Sequence, residues 1–193
     1  MFESKLPNLS VSIFSQMSGL ASQHSAINLS QGFPEFDAPE LLKNQLNFYV
    51  QQGGNQYSPS SGVPRLQQQI ANLVSRKYAA NIDAAEQVTV TSGATEALFV
   101  AIQTIVRPDD EVIVFDPAYD SYQPAIELAG GKTVHIALHA PDYAIDWQTV
   151  RSAVSKNTRA IIINTPHNPS GKILKSDDIN ALKSLVNDHD LYV

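Results

Sequence analysis

The sequence predicts an α/β protein built on a three-layer, mostly parallel sheet with helices on both faces, and three observations carry that reading. Short runs rich in β-branched residues, 87–91 (QVTVT), 111–115 (EVIVF), 132–136 (KTVHI) and 159–163 (RAIII), recur through its second half. Segments of helical length, 94–106, 119–129 and 147–155, lie between them. Strands separated by helices need crossover connections, and crossovers place helices on the faces of a parallel sheet. Third, hydrophobic residues make up 43% and charged residues 17% of the 193. That balance is ordinary for a soluble globular chain and unlike a disordered one.

The elements follow in order. In 12–25, Ile13, Met17 and Leu20 fall at spacings of four and three, the stripe of an amphipathic helix that packs on something larger. Residues 27–39 (INLSQGFPEFDAP) read as a short strand entering an ordered loop. Helical patterns follow at 40–52 and 63–80. In the latter, Leu66, Ile70, Leu73 and Val74 share a face, and Pro64 stands near the start, where a missing N–H costs little. Another helix is expected at 176–188, and 189–193 read as the start of a further strand.

The formal charge of −6 is spread along the chain, and no stretch gathers enough Lys and Arg to neutralise several phosphates. Nucleic-acid binding is not expected. With no cysteine, a disulfide framework, a thiolate metal site and a thiol nucleophile are all ruled out, and no metal site is assigned. The first ten residues lack a basic start followed by an apolar run, and no apolar stretch approaches the roughly 18 residues of a membrane span. A cytoplasmic protein without membrane partners is the expectation.

A parallel sheet binds ligands beyond the carboxyl ends of its strands, and three turns stand there. Thr91-Ser92-Gly93-Ala94-Thr95 is a small-residue turn opening a helix, suited to an anion through the N–H groups of a helix start and the helix dipole. The same residues also serve as ordinary helix caps. In Asp116-Pro117-Ala118-Tyr119-Asp120-Ser121-Tyr122, an aromatic at a strand end can lie flat on a planar group; equally, both tyrosines can be plain helix-start residues. Asn164-Thr165-Pro166-His167-Asn168-Pro169-Ser170-Gly171-Lys172 carries two X-Pro steps and a glycine, a stiff turn that aims a side-chain amide. A simple connecting loop would need only one such breaker.

These turns, with 27–39 (INLSQGFPEFDAP) and 55–66 (NQYSPSSGVPRL), occur in an order that resembles the fold-type I pyridoxal-phosphate (PLP) enzymes, aminotransferase class I/II. The resemblance covers essentially the whole chain. It implies that Gly93, Ala94 and Thr95 hold the PLP phosphate, that Tyr119 stacks on the pyridine ring, and that Asn168 bonds the ring's O3′ and lies near the substrate carboxylate. It further implies that Gly32 lines the substrate pocket and that Tyr57 reaches the phosphate of a neighbouring subunit in a homodimer. Arg65 reads as structural. SQGFPEF and PAYDSY are most similar to the methionine, kynurenine and glutamine aminotransferase branch, which implies a methionine-like or aromatic donor and a 2-oxo acid acceptor.

By the same resemblance, residues 1–39 form an arm and part of a small domain, and 40–193 the N-terminal portion of the PLP-binding large domain. An Asp facing the pyridine nitrogen, the Schiff-base lysine and a substrate-clamping arginine are expected after Val193. No catalytic residue is therefore assigned within 1–193, which alone are expected to be inactive. Other PLP chemistry, such as β-elimination from cysteine conjugates or decarboxylation, shares these motifs, and a non-catalytic PLP-fold binding module is the remaining alternative.

Overall fold

The structure is a computed structural model that describes residues 3–7, 9–32, 34 and 36–193. It falls into two compact units, Val11–Ser92 and Met1–Ser10 with Gly93–Val193.

Among the described residues the first unit holds three helices: α1 (Ile13–Gln23), α2 (Glu40–Gln51) and α3 (Pro64–Tyr78). Ser12 starts α1 by accepting the Ser15 N–H in its side chain at 3.3 Å. The expected stripe of Ile13, Met17 and Leu20 is present on α1, yet all three stay exposed, and α2 likewise buries none of its residues.

Helix α3 begins at Pro64, as expected, but its buried residues are Gln67 and Ala71, while Leu66 and Leu73 face outward. The reason is local. The Gln67 amide donates to the Val88 carbonyl at 2.6 Å and the Ser61 carbonyl at 3.3 Å, so this polar side chain staples two loops to the helix and must face inward.

Residues 87–91 do not form the expected strand. A ladder needs a neighbouring strand, and among the described residues no strand is laddered with them. Their polar backbone is met instead by the staple and by the Val90 N–H donating to the Ser61 carbonyl at 2.9 Å. Residues 27–32 also form no strand; Phe33 and Glu35 of the same loop lie outside the described residues.

The second unit is the α/β body. In chain order it contains α4 (Gly93–Ile105), β1 (Glu111–Asp116), α5 (Tyr122–Leu128), β2 (Lys132–Ala137), α6 (Trp147–Ala153), β3 (Thr158–Ile161) and α7 (Ser176–His189). The strands make a parallel sheet in the order β2-β1-β3, with register pairs such as Val114↔His135 and Ile113↔Ile161.

Central β1 is buried on both faces, as a continuous apolar run requires. Val112 and Val114 pack with Ile102 of α4, with Val106 just after that helix and with Ala125 and Ile126 of α5. Ile113 and Phe115 pack on the other face with Val150 of α6 and Leu185 of α7. This alternation makes the three layers. The expected strand at 189–193 reduces to one parallel bridge, Ala160↔Tyr192, with the Arg159 side chain over the Tyr192 ring.

Candidate functional site

The site is assembled by three chain reversals at the carboxyl side of this sheet. Helix α4 starts at Gly93, whose φ of +80° is a conformation that side-chain-bearing residues rarely adopt. A Cβ placed there would meet nothing within 4 Å. The chain thus enters the helix through a bend that glycine permits, with the small side chain of Ala94 and the hydroxyl of Thr95 in the first turn.

Strand β1 delivers the second reversal. Asp116 ends the strand, the Asp116-Pro117 peptide is cis, and α5 begins only at Tyr122 rather than at Tyr119. Tyr119 therefore sits in the turn, its carbonyl accepting the Tyr122 N–H at 3.2 Å. Its hydroxyl lies 3.2 Å from Thr95 Oγ1, which ties the turn to the start of α4. Its ring meets Tyr122 edge-on, with centroids 5.7 Å apart at 70°. Burial first, and the neighbouring Tyr119 second, push the Tyr122 phenol above its ordinary value.

The third reversal follows β3. Asn164 Oδ1 accepts the Asn168 N–H at 2.6 Å, closing the turn around the cis Thr165-Pro166 bond, and the Asn168-Pro169 bond that follows is also cis. His167 Nδ1 lies 2.8 Å from Ser170 Oγ, the His167 N–H donates to the Lys172 carbonyl at 2.8 Å, and Leu174 N–H donates to Thr165 Oγ1 at 3.1 Å. Gly171 takes a positive φ of 73° where the chain turns back.

Ala94, Thr95, Tyr119, Tyr122, Asn164 and Asn168 line one open cleft of about 1180 Å³, counted out to its mouth, with Leu98 and Ile162 in its wall. Four of the expected residues are thus brought to one place, with Gly93 adjoining them in the chain. Gly32 and Tyr57 belong to the other compact unit. Tyr57 is fully exposed, and a Cβ on Gly32 would enter open space. Among the described residues no lysine lines the cleft. Lys172 faces a smaller cavity behind the Asn-Pro turn, together with His167 and Asp178.

Sequence reasoning missed Asn164 and Tyr122 as organisers. Asn164 had a detectable signal: two asparagines four apart around two X-Pro steps suggest that one side chain closes the other's turn.

The residues present suit a phosphorylated planar cofactor. A glycine-permitted bend leads into a helix start with room above it, an aromatic ring stands beside it, and an amide is held by a stiff turn.

A model of the family "Aminotransferase class I and II" matches residues 24–193. Methionine aminotransferase of Escherichia coli is 50% identical over 191 residues, which are 99% of this chain and 50% of that protein. A probable N-succinyldiaminopimelate aminotransferase of Mycobacterium tuberculosis is 38% identical over 188 residues, 96% of this chain and 47% of that protein. Among solved structures, YbdL of Escherichia coli, described as having a methionine aminotransferase function, superposes with a TM-score of 0.95 at 50% identity. The match covers all of this chain and 50% of YbdL. The chain spans about half the length of the relatives it matches.

Proposed function

The chain belongs to the aminotransferase class I and II family, and from that premise we propose that its protein moves an amino group from a methionine-like or aromatic amino acid to a 2-oxo acid with PLP as cofactor. The observation that carries this reading is the convergence of the α4 start, Tyr119 and Asn168 on one cleft at the strand ends.

In this reading PLP supplies an electron sink for the charge left on the amino acid's α-carbon when its proton is removed. The chain's own residues bind and orient. The N–H groups at the start of α4 and the Thr95 hydroxyl hold the phosphate; the helix dipole adds roughly 0.3–1 kcal/mol in favour of an anion. Tyr119 lies against the ring, contributing apolar contact worth about 0.5–1.5 kcal/mol beyond burial. Asn168 donates its amide to the ring oxygen and stands beside the substrate carboxylate. Gly32 leaves space for the substrate, and Tyr57 reaches the phosphate held by a second copy in a homodimer.

Methionine as donor is supported by the 50% identity to the methionine aminotransferase of Escherichia coli, and an aromatic donor by the SQGFPEF and PAYDSY segments. In the whole protein, residues 1–39 act as arm and small-domain segment and 40–193 as part of the large domain. Among the described residues no helix is long and apolar enough to cross a membrane; a cytoplasmic location fits this reading. The test is conversion of a 2-oxo acid by the full polypeptide supplied with methionine, phenylalanine or kynurenine. Release of pyruvate and a thiol from a cysteine conjugate, without amino transfer, would favour the β-lyase reading instead.

One observation favours a second reading. Among the described residues no lysine lines the cleft, as would hold for a PLP-binding module without catalysis. PLP binding by the full polypeptide, with no amino transfer from any donor, would select it.

A further inference from the structure

The turn that presents Tyr119 is gripped from below by β2. The Asp116 carbonyl accepts the Leu138 N–H at 2.8 Å, which fixes the last residue of β1 through its backbone. A second grip comes from a side chain: His135 Nδ1 lies 2.9 Å from Asp116 Oδ2. His135 stands opposite Val114 in the parallel register, on the edge strand, so its ring reaches diagonally toward the strand end. Asp116, Tyr119 and His135 line a second depression, and Tyr119 also lines the main cleft with Thr95 and Asn168.

Resting on the proposed cofactor role of Tyr119, we infer that His135 is a positioning residue that acts through Asp116 to set how the Tyr119 ring meets the cofactor. Asp116 is three residues before Tyr119, with Pro117 and Ala118 between, so a rotation at the strand end is carried into the ring's tilt. The backbone bond alone leaves the Asp116 side chain free to turn; the imidazole removes that freedom. Thr95 and Tyr122 hold the far side of the same ring. Both His135 and Asp116 are partly open to solvent, 41% and 39%, so the pair acts with the modest strength of a solvated one.

The test compares His135→Leu, His135→Asn and Asp116→Ala in the full polypeptide, reading PLP affinity, the visible circular dichroism of bound PLP, and the near-ultraviolet tyrosine signal without cofactor. The Asn amide reaches the position of Nδ1 and keeps the contact. His135→Leu is expected to weaken PLP binding about three- to fivefold and to alter both signals. His135→Asn should restore them, and adding His135→Leu to Asp116→Ala should cost nothing further. Unchanged affinity and signals in His135→Leu would overturn the inference. So would equal losses in His135→Leu and His135→Asn, which would indicate packing alone. Wild-type protein that fails to bind PLP would remove the proposed function itself, and this inference with it.

Discussion

The hydroxyls of Thr95 and Tyr119 stand 3.2 Å apart, joining the start of one helix to the turn before another across 24 residues of chain. The contact places a helix start and an aromatic side chain side by side, the arrangement on which the proposed binding of a phosphorylated ring rests.

Removing the Tyr119 hydroxyl separates the two roles of that side chain. Tyr119→Phe keeps the ring and loses one hydrogen bond, a change of about 0.5–1.5 kcal/mol, so PLP affinity should fall roughly three- to tenfold. Tyr119→Leu also loses the stacked face and should fall further. Absorbance titration with PLP measures both, and equal affinity in all three proteins would contradict the role of Tyr119.

Glycine substitutions should differ by position. Gly62 has φ of +115°, and a Cβ there would lie 2.5 Å from Val90 Cγ2. Gly62→Ala should therefore destabilise by about 2 kcal/mol or more, from overpacking and strain together. At Gly93 there is room but φ is +80°, so Gly93→Ala should cost about 1–2 kcal/mol from backbone strain alone, along with loss of PLP affinity. Thermal unfolding with and without PLP checks the order.

Gly32 tests the substrate pocket. A Cβ there would enter open space, so Gly32→Ala should leave thermal stability unchanged. Replacement by Phe or Leu should lower kcat/KM for the donor amino acid while PLP affinity stays the same. Steady-state kinetics on the full polypeptide, with the cofactor titrated separately, distinguishes the two.

Acid should loosen the contact between α6 and α7. Burial pushes the Asp178 carboxyl up, but the Lys175 N–H, the Trp147 indole N–H and two nearby lysines outweigh it and hold it below its usual value. Its stabilising contribution is complete above the unfolded-state value near 4. It disappears as pH falls through the lower folded-state value. Trp147 is the sole tryptophan, so its fluorescence should report the transition, and Asp178→Ala should abolish that pH dependence.

The sheet was legible because β1, β2 and β3 are short β-branched runs separated by helices, and each formed within a few residues of expectation. Residues 87–91 carry the same local pattern, but among the described residues no strand is laddered with them, and strand formation depends on such a neighbour. The α3 face was misread because Gln67 is buried by hydrogen bonds rather than by hydrophobicity, which periodicity does not detect. At the site, Gly93, Thr95, Tyr119 and Asn168 were visible as turn chemistry. Asn164 closes its turn through a contact only four residues long and was open to the same reading, whereas the His135–Asp116 pair joins separate strands, and no local spacing announces it.

The most direct measurement is a crystal structure of the full polypeptide with PLP bound. The phosphate is expected against the backbone N–H groups at the start of α4, the ring beside Tyr119, and the Asn168 amide on the ring oxygen. A cofactor seated elsewhere, with the bend at Gly93 turned away from its phosphate, would contradict this arrangement.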